Sequence, residues 1–490
     1  MLVETLLATA ERCGSRLAVA DGHQSLTYDQ LATLSSVLAK VIRKETLTDR
    51  VGLLLPASSL FPVALFGTLW TGKLAVPLNF LLSPRELEEI VRDAGIELVL
   101  SVKPLAKTAS ALPVRTLYLE DLPLKRMFVT SKIFGRFKPS PVTPDETAVL
   151  LYTSGTSAKS KGVQLTYRNL HSNCAGCIEA ARMESGHVFL NVLPPFHVFG
   201  LTANVLVPVA LGATVHAIPR FNPLAAVQAV AEHKVSILLA IPSMYAAMAR
   251  LKTGDRETMK SIYVALSGGE PLSDLVARAF AEKFDVRLLQ GYGMTETSPV
   301  ISLCAPHAWR DHSVGRVISG MEACIRDDAN QSLGSDSEGE ICVRGPSVMK
   351  GYYHRPEETR ALIDPDGWLH TGDIGRLDGE GYLFITGRKK DMMIVGGENV
   401  FPREIEAVLE DHPAVAEAAV LGVTDESRGE VPVAFVSLKE GAAADESELR
   451  GFARERLAGY KVPRQIRIES DFPRGPTGKI LKRQLRERLK

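Results

Sequence analysis

A helix start, a helix stop and an apolar run recur in the same order along this chain, and that alternation restricts its fold more than any other feature. Ser83-Pro84-Arg85-Glu86 makes a capping box with proline at the first helical position; Leu87, Ile90, Val91 and Ala94 follow at helical spacing, and Gly95 ends the helix. The apolar residues 96–102 then predict a strand. The pattern returns from Asn222-Pro223, with a helix to about Lys234 and a strand over 235–241. It returns again from Ser273, with a helix to Phe284 and a strand over 286–290. Repeated helix–strand units predict an α/β fold: a large N-terminal body of helix-covered, mixed or parallel sheets.

Two stretches, 51–72 and 188–219, contain no Asp, Glu, Lys or Arg. By length alone each matches the roughly 20 residues of a membrane span. Pro56 and Pro62 interrupt the first, and Pro194, Pro195 and Pro208 the second, so neither offers an unbroken helix able to satisfy its own backbone in lipid. Both are expected to be buried strands and helices.

The texture changes at about Ser313, where short strands such as 340–344 and 382–386 are separated by Gly-rich turns, predicting a small antiparallel β subdomain over about 313–387. After Arg388 it changes again, to a helix over 402–411, strands near 416–423 and 431–438, and a helix over 446–457. The expected division is residues 1–389 and a small mobile α+β domain over 390–490, consistent with 490 residues at about 100–200 per domain. Residues 124–141 hold Lys125, Arg126, Lys132, Arg136 and Lys138 among apolar side chains and no acid. They are read as a solvated linker, with a peripheral membrane-surface contact as the alternative.

The chain carries 57 Lys+Arg and 57 Asp+Glu, a balance that argues against nucleic acid as its partner. The neutrality averages unequal parts, since residues 450–490 hold 13 Lys+Arg and 4 Asp+Glu. The 6 cysteines are few, and no charged region followed by an apolar one opens the chain, so a cytoplasmic location is expected. Cys174 and Cys177 sit inside a predicted helix over 167–182 with no further ligand pair, and are read as buried thiols.

Five clusters carry chemistry. Tyr152-Thr153-Ser154-Gly155-Thr156-Ser157-Ala158-Lys159-Ser160-Lys161-Gly162 follows an apolar strand over 148–151 and offers hydroxyls, glycines and lysines suited to polyphosphate. It lacks the Gly-Lys-Ser/Thr ending of a Walker loop. Gly291-Tyr292-Gly293-Met294-Thr295-Glu296-Thr297 stands at the carboxyl edge of the sheet, with a ring for a base, a hydroxyl for phosphate and a carboxylate for Mg2+. Thr371-Gly372-Asp373 puts an acid in a turn before a strand, in reach of ribose hydroxyls or as an ordinary turn aspartate. Gly387-Arg388-Lys389-Lys390-Asp391 marks the texture change, and Pro476-Thr477-Gly478-Lys479 precedes a basic terminal helix.

These clusters, with Pro195-Phe196-His197-Val198-Phe199-Gly200 and Ser267-Gly268-Gly269-Glu270-Pro271-Leu272, resemble an adenylate-forming acyl-CoA synthetase in order and content over essentially the whole chain. The resemblance implies ATP-dependent conversion of a carboxylic acid to acyl-AMP and then to acyl-CoA, with ATP, Mg2+ and CoA. It implies that Thr153, Ser154, Gly155, Thr156, Ser157 and Lys161 hold the β- and γ-phosphates, and that Tyr292 stacks on adenine beside Gly269 and Glu270. Thr295 would touch the α-phosphate, Glu296 bind Mg2+, Asp373 take the ribose with help from Arg388, and His197 border the acid pocket. Lys479 would bridge the carboxylate and the α-phosphate, and Lys390 would be the hinge. The chain departs from the family pattern at Ala158 and Ser160, where glycine and proline are usual. A medium- or long-chain fatty acid is the expected substrate. The alternatives are an aryl or other acid, an acyl-carrier-protein acceptor in place of CoA, and a non-catalytic nucleotide or acyl sensor.

Overall fold

A computed structural model describes residues 1–123, 128–129, 131, 135–153, 160–395, 398–425, 429–474 and 480–489. Ser154, Gly155, Thr156, Ser157 and Lys479 lie outside the described residues, as do Ala158, Lys125, Arg126 and Lys132.

The helix–strand alternation builds two large mixed sheets. In a nine-stranded sheet, Leu17–Ala20, Thr214–Ala217, Val188–Asn191, Ile237–Ala240, Val264–Ser267 and Leu288–Gly293 run parallel. Antiparallel strands close both of its edges. A seven-stranded sheet is parallel through Arg115–Tyr118, Leu98–Ser101, Arg50–Leu54, Leu74–Pro77 and Thr147–Thr153, then antiparallel through Lys161–Thr166 and Gly351–Tyr352. Three of the sequence-predicted helices start where their caps stand. Ser83 accepts from the Glu86 N–H, Asn222 from Ala225 and Ser273 from Val276. Each such cap is worth about 1 kcal/mol.

The uncharged stretches are core. Residues 51–54 lie in a central strand, and the helix Leu60–Trp70 is buried nearly all round, which leaves no face for a charge. It packs on the helix Tyr28–Glu45, where a Cβ on Gly67 would stand 3.1 Å from Leu38 Cδ2. The second stretch forms strand Val188–Asn191, helix Val198–Leu201, a π-helical turn Thr202–Leu206, helix Val207–Leu211 and strand Thr214–Ala217. Among the described residues no helix is long and apolar enough to cross a membrane.

The reading of 124–141 as a linker fails for its described end. Arg136 pairs with Asp29 and donates to Thr33 Oγ1 at 3.2 Å, Trp70 Nε1 donates to the Phe137 carbonyl at 2.7 Å, and Arg43 stacks on the Phe137 ring. Residues 135–140 are strapped to helices by specific contacts that composition does not encode. Cys174 and Cys177 are buried and free in helix Tyr167–Ala180, and burial pushes the Cys177 thiol up to about 12.

A four-stranded sheet, Glu322–Arg326, Gly339–Arg344, Leu369–Leu377 and Leu383–Arg388, is antiparallel throughout. Beyond it, Met393–Val395, Glu398–Val400, Val415–Asp425, Gly429–Leu438 and Gln465–Ile468 make a fifth-strand-completed sheet with its own apolar cluster, including Val420, Val436, Leu449 and Ile466. Helices Pro402–Glu410 and Glu446–Arg454 supply Ile405, Leu409 and Leu449 to that cluster.

Candidate active site

Strand Leu288–Gly293 carries Gly291, Tyr292 and Gly293, all three of which the sequence placed beyond the strand end, and it delivers the chain to a single 3-10 turn, Thr295–Thr297. The extension follows from pairing: Gly291 and Tyr292 oppose Leu303 and Ser302 on an antiparallel neighbour. A Cβ on Gly293 would stand 2.0 Å from the Pro299 carbonyl oxygen, so only glycine lets the turn fold back this closely. Asn173 fixes the turn, donating to the carbonyls of Thr297 at 3.1 Å and Val300 at 2.8 Å and accepting from the Val300 N–H at 3.2 Å. Asn169, one helical turn earlier, donates at 2.7 Å to the carbonyls of both Pro346 and Val348.

Glu296 is the acid of this turn. Its carboxylate accepts from the Tyr352 hydroxyl at 2.6 Å, and its carbonyl accepts from the Met349 N–H at 2.8 Å. Burial and the Glu296 charge raise the Tyr352 hydroxyl above its ordinary value, which keeps it a donor. Lys161 Nζ stands 5.1 Å from the Tyr352 ring centre and pairs with Glu358. Lys161 and Arg355 hold the Glu358 carboxyl below the usual carboxylate range. The loop expected over 152–162 is shorter than its sequence suggests. Tyr152 and Thr153 end one strand and Lys161 and Gly162 begin the next, in direct register, because the alternation of Val163 and Leu165 with Gln164 extends the ladder.

Asp373 is another correction of local structure. Residues 371–373 lie within strand Leu369–Leu377, at a bulge opposite Ile341, and not in a turn before a strand. Gly372 takes φ +69°, the Thr371 hydroxyl donates to the Ile341 carbonyl at 2.7 Å, and the Gly372 N–H donates to Glu340 Oε1 at 3.1 Å. The bulge sends the Asp373 carboxylate inward, 6% exposed. It accepts from the Tyr292 hydroxyl at 2.6 Å and lies 3.0 Å from Arg388 Nε. Burial first, and then the Asp373 charge, raise the Tyr292 hydroxyl well above its ordinary value.

An apolar wall adjoins this run. Phe196 meets Phe80 edge to face at 5.0 Å and His197 at 4.9 Å. Gly200 is held to a glycine by the Pro194 carbonyl, 2.3 Å from where its Cβ would be. A Cβ on Gly268 would touch Phe199 at 3.3 Å and the Gly291 carbonyl at 3.6 Å, so Phe199, Gly268 and the strand carrying Tyr292 are immediate neighbours. Gly269, at φ +83°, and half-buried Glu270 follow directly. The Thr202 hydroxyl donates to the Ser298 carbonyl at 2.9 Å and ties the π-helical turn to the Glu296 turn.

The structure therefore brings Lys161, Tyr292, Thr295, Glu296, Asp373 and Arg388 into one connected run, with Gly269, Glu270 and His197 along the segment that borders it. Thr153 stands at its edge, paired with Lys161. Exposed Lys390 lies in the 3-10 turn Lys389–Asp391, one residue past Lys389. Arg474 and Ile480 form an antiparallel bridge. Lys482, just beyond, donates to buried Glu406 at 2.7 Å.

Comparison with known proteins shows the family of the chain. The model of the AMP-binding enzyme family matches residues 6–353, and that of the AMP-binding enzyme C-terminal domain matches residues 404–479. The chain belongs to the adenylate-forming AMP-binding enzymes. It is 34% identical over 533 aligned residues to a long-chain-fatty-acid–CoA ligase of Bacillus subtilis (strain 168), covering 99% of this chain and 94% of that one. The ATP-bound structure of MatB from Rhodopseudomonas palustris superimposes with a TM-score of 0.91 at 28% identity, covering 100% of this chain and 99% of that one. The o-succinylbenzoate coenzyme A synthetase (MenE) of Bacillus subtilis, solved with ATP and a magnesium ion, gives a TM-score of 0.85 at 31% identity, covering 98% and 99%.

The residues present in this AMP-binding enzyme fit ATP and Mg2+. Asp373 is a buried carboxylate whose two oxygens are aimed by separate donors, Glu296 is a hard oxygen ligand, and Lys161 supplies positive charge on the same run. Tyr352, Glu358, Asn169 and Asn173 escaped sequence reasoning. The one local signal for the asparagines is their i, i+4 spacing on the face that also buries Leu170 and Cys177.

Proposed function

We propose that this AMP-binding enzyme activates a carboxylic acid with ATP to acyl-AMP and pyrophosphate, then passes the acyl group to the thiol of CoA. A carboxylate oxygen attacks the α-phosphorus and the bond to the pyrophosphate oxygen breaks. The CoA sulfur then attacks the acyl carbon, its proton passes to solvent, and AMP leaves. The reading is carried by one observation: buried Asp373, aimed by Tyr292 and Arg388, stands on the same run as Glu296 and Lys161.

Asp373 orients the ribose, Tyr292 faces the adenine beside Gly269 and Glu270, and Thr295 takes the α-phosphate. Lys161, with Thr153, Ser154, Gly155, Thr156 and Ser157, holds the outer phosphates. Mg2+ at Glu296 supplies charge neutralisation to the polyphosphate. Two anions are brought together, so positioning and charge neutralisation supply most of the acceleration. Lys479 approaches the carboxylate and α-phosphate in the first step, and residues 390–490 turn about Lys390 to admit CoA for the second.

The acid is read as a medium- or long-chain fatty acid. The support is the apolar wall of Phe80, Phe196 and Phe199, continued by buried Val198, Leu201 and Val205 in a stretch without Asp, Glu, Lys or Arg. The basic residues 450–490 favour a second reading for the acceptor, an acidic acyl carrier protein. Acid-dependent exchange of labelled pyrophosphate into ATP across a panel of fatty, aryl and dicarboxylic acids tests the reaction. Exchange with fatty acids is expected, and no exchange with any acid overturns the enzyme reading. CoA and a carrier protein, each supplied with the best acid, then identify the acceptor.

A further inference from the structure

The four-stranded antiparallel sheet carries a second cluster of reactive side chains, on its strands Gly339–Arg344 and Leu369–Leu377. Cys342 stands directly opposite His370, so both side chains leave the same face, and Glu340, two residues before Cys342, shares it. Cys342 Sγ lies 3.4 Å from His370 Nδ1, and Nδ1 lies 3.4 Å from Glu340 Oε2. All three ligand atoms fall within 4.8 Å of one another, and among the described residues no other group of His, Cys, Asp and Glu does so.

Hydrogen bonding alone would account for a histidine between a thiol and a carboxylate, but three further features fit a metal better. The first is distance. A tetrahedral zinc, with Zn–S of about 2.3 Å and Zn–N or Zn–O of about 2.0–2.1 Å, spaces its ligand atoms about 3.3–3.6 Å apart. Both measured separations fall in that interval. The second is the outer shell. The other ring nitrogen of His370 faces Asp364 Oδ2 at 4.0 Å. Asp364 is itself fixed by Arg326 at 2.9 Å and by the N–H groups of Asp366 at 3.0 Å and Trp368 at 2.8 Å. At 4.0 Å the approach of Asp364 to His370 is no direct hydrogen bond, and Asp364 stands behind the ring as a negative charge that favours a metal-bound imidazole. The third is access: Cys342 is fully buried, but the His370 side chain is 25% exposed and opens the cluster to solvent.

We propose that Glu340, Cys342 and His370 form a Zn2+ site, with a fourth position left for water. Thiolate, imidazole and carboxylate together favour zinc over Mg2+ or Ca2+. The site is distinct from the Glu296 carboxylate, yet it touches the nucleotide cluster from behind. Glu340 Oε1 accepts from the Gly372 N–H, one residue before Asp373. Lys389 Nζ lies 3.4 Å from the other Glu340 oxygen, Oε2, and 3.0 Å from Asp328, so zinc on Oε2 leaves Lys389 with Asp328 alone.

Cobalt is the probe. The full-length protein, stripped of metal and held reduced by a phosphine, is titrated with Co2+ and its absorption recorded. A thiolate-to-cobalt charge-transfer band in the near ultraviolet is expected, saturating at one equivalent and bleached by equimolar Zn2+. Cys342→Ser should abolish it, and His370→Asn should weaken Co2+ binding at least tenfold at unchanged metal-free Tm. Asp364→Asn, which removes only a nearby charge, should weaken binding less than His370→Asn does while keeping the band. Cys324→Ser, at the position opposite Cys342 on the other neighbouring strand, and the double variant Cys174→Ser/Cys177→Ser should leave it intact. Absence of the band, or a band that His370→Asn leaves at full affinity, overturns the proposal, and the His370 variant, at a partly exposed position, decides the matter if Cys342→Ser does not fold.

Discussion

Arg388 and Asp373 are cross-strand partners, and Arg388 Nε stands 3.0 Å from Asp373 Oδ1 while the Tyr292 hydroxyl takes Oδ2. The carboxylate is thereby aimed from two sides before any nucleotide arrives. Asp373→Asn keeps the shape and removes the charge. With a charge-assisted hydrogen bond worth about 1.5–3 kcal/mol, the KM for ATP should rise about 10- to 150-fold, read by pyrophosphate exchange. Tm should stay near the wild-type value, and an unchanged KM would remove Asp373 from the nucleotide site.

Lys161 is occupied by Glu358, so under the proposed assignment phosphate must compete with a carboxylate for it. Glu358→Gln removes the competitor and should lower the KM for ATP by up to about fivefold, as expected for a half-exposed ion pair. Lys161→Ala should raise it by at least about tenfold. Steady-state kinetics on both variants checks the opposite signs.

Lys479 and Lys390 should separate the two half-reactions. Lys479→Ala is expected to abolish acid-dependent exchange yet leave conversion of supplied acyl-AMP and CoA to thioester largely intact. Lys390→Pro is expected to do the reverse, because proline restricts the backbone at the turning point. Equal loss of both half-reactions in either variant would refute the assignment of two conformations.

Glu410 is buried beside Arg403 and Glu406, and burial, the largest cause, raises its carboxyl to about 7. A raised carboxyl contributes stability that is complete below its ordinary value of 4.5 and is lost as pH climbs through about 7. Glu410→Gln imitates the neutral form. It should match the wild type near pH 5 and exceed it at pH 8, by up to about 3 kcal/mol. Thermal melts at the two pH values measure the difference, and a wild-type advantage at pH 8 would reverse the sign.

Much of the body was legible because helix caps act locally. Ser83, Asn222 and Ser273 each sit where a helix begins, and the lack of charge in 51–72 matches a helix buried all round. The residues of the run were singled out by resemblance more than by local pattern: read alone, Asp373 was open between a ribose contact and an ordinary turn aspartate, and Arg388 lay in a charged turn. What the sequence could not reveal is pairing at long range. Tyr352 reaches Glu296 because Gly351–Tyr352 adds to the edge strand Lys161–Thr166, a partner some 190 positions away with no local mark. The bulge at 371–373 was hidden for the same reason, because its extra residue exists only relative to Ile341 on the neighbouring strand.

The Tyr352–Glu296 bond joins a residue of the seven-stranded sheet to the turn that leaves the nine-stranded one, and Asp373 comes from a third sheet. No single ladder owns the site. Competence is therefore a matter of docking, and docking is what modest heating disturbs first, while every strand keeps its neighbours. Activity should fade at temperatures where circular dichroism still reports an intact secondary structure, and cooling should restore it without refolding.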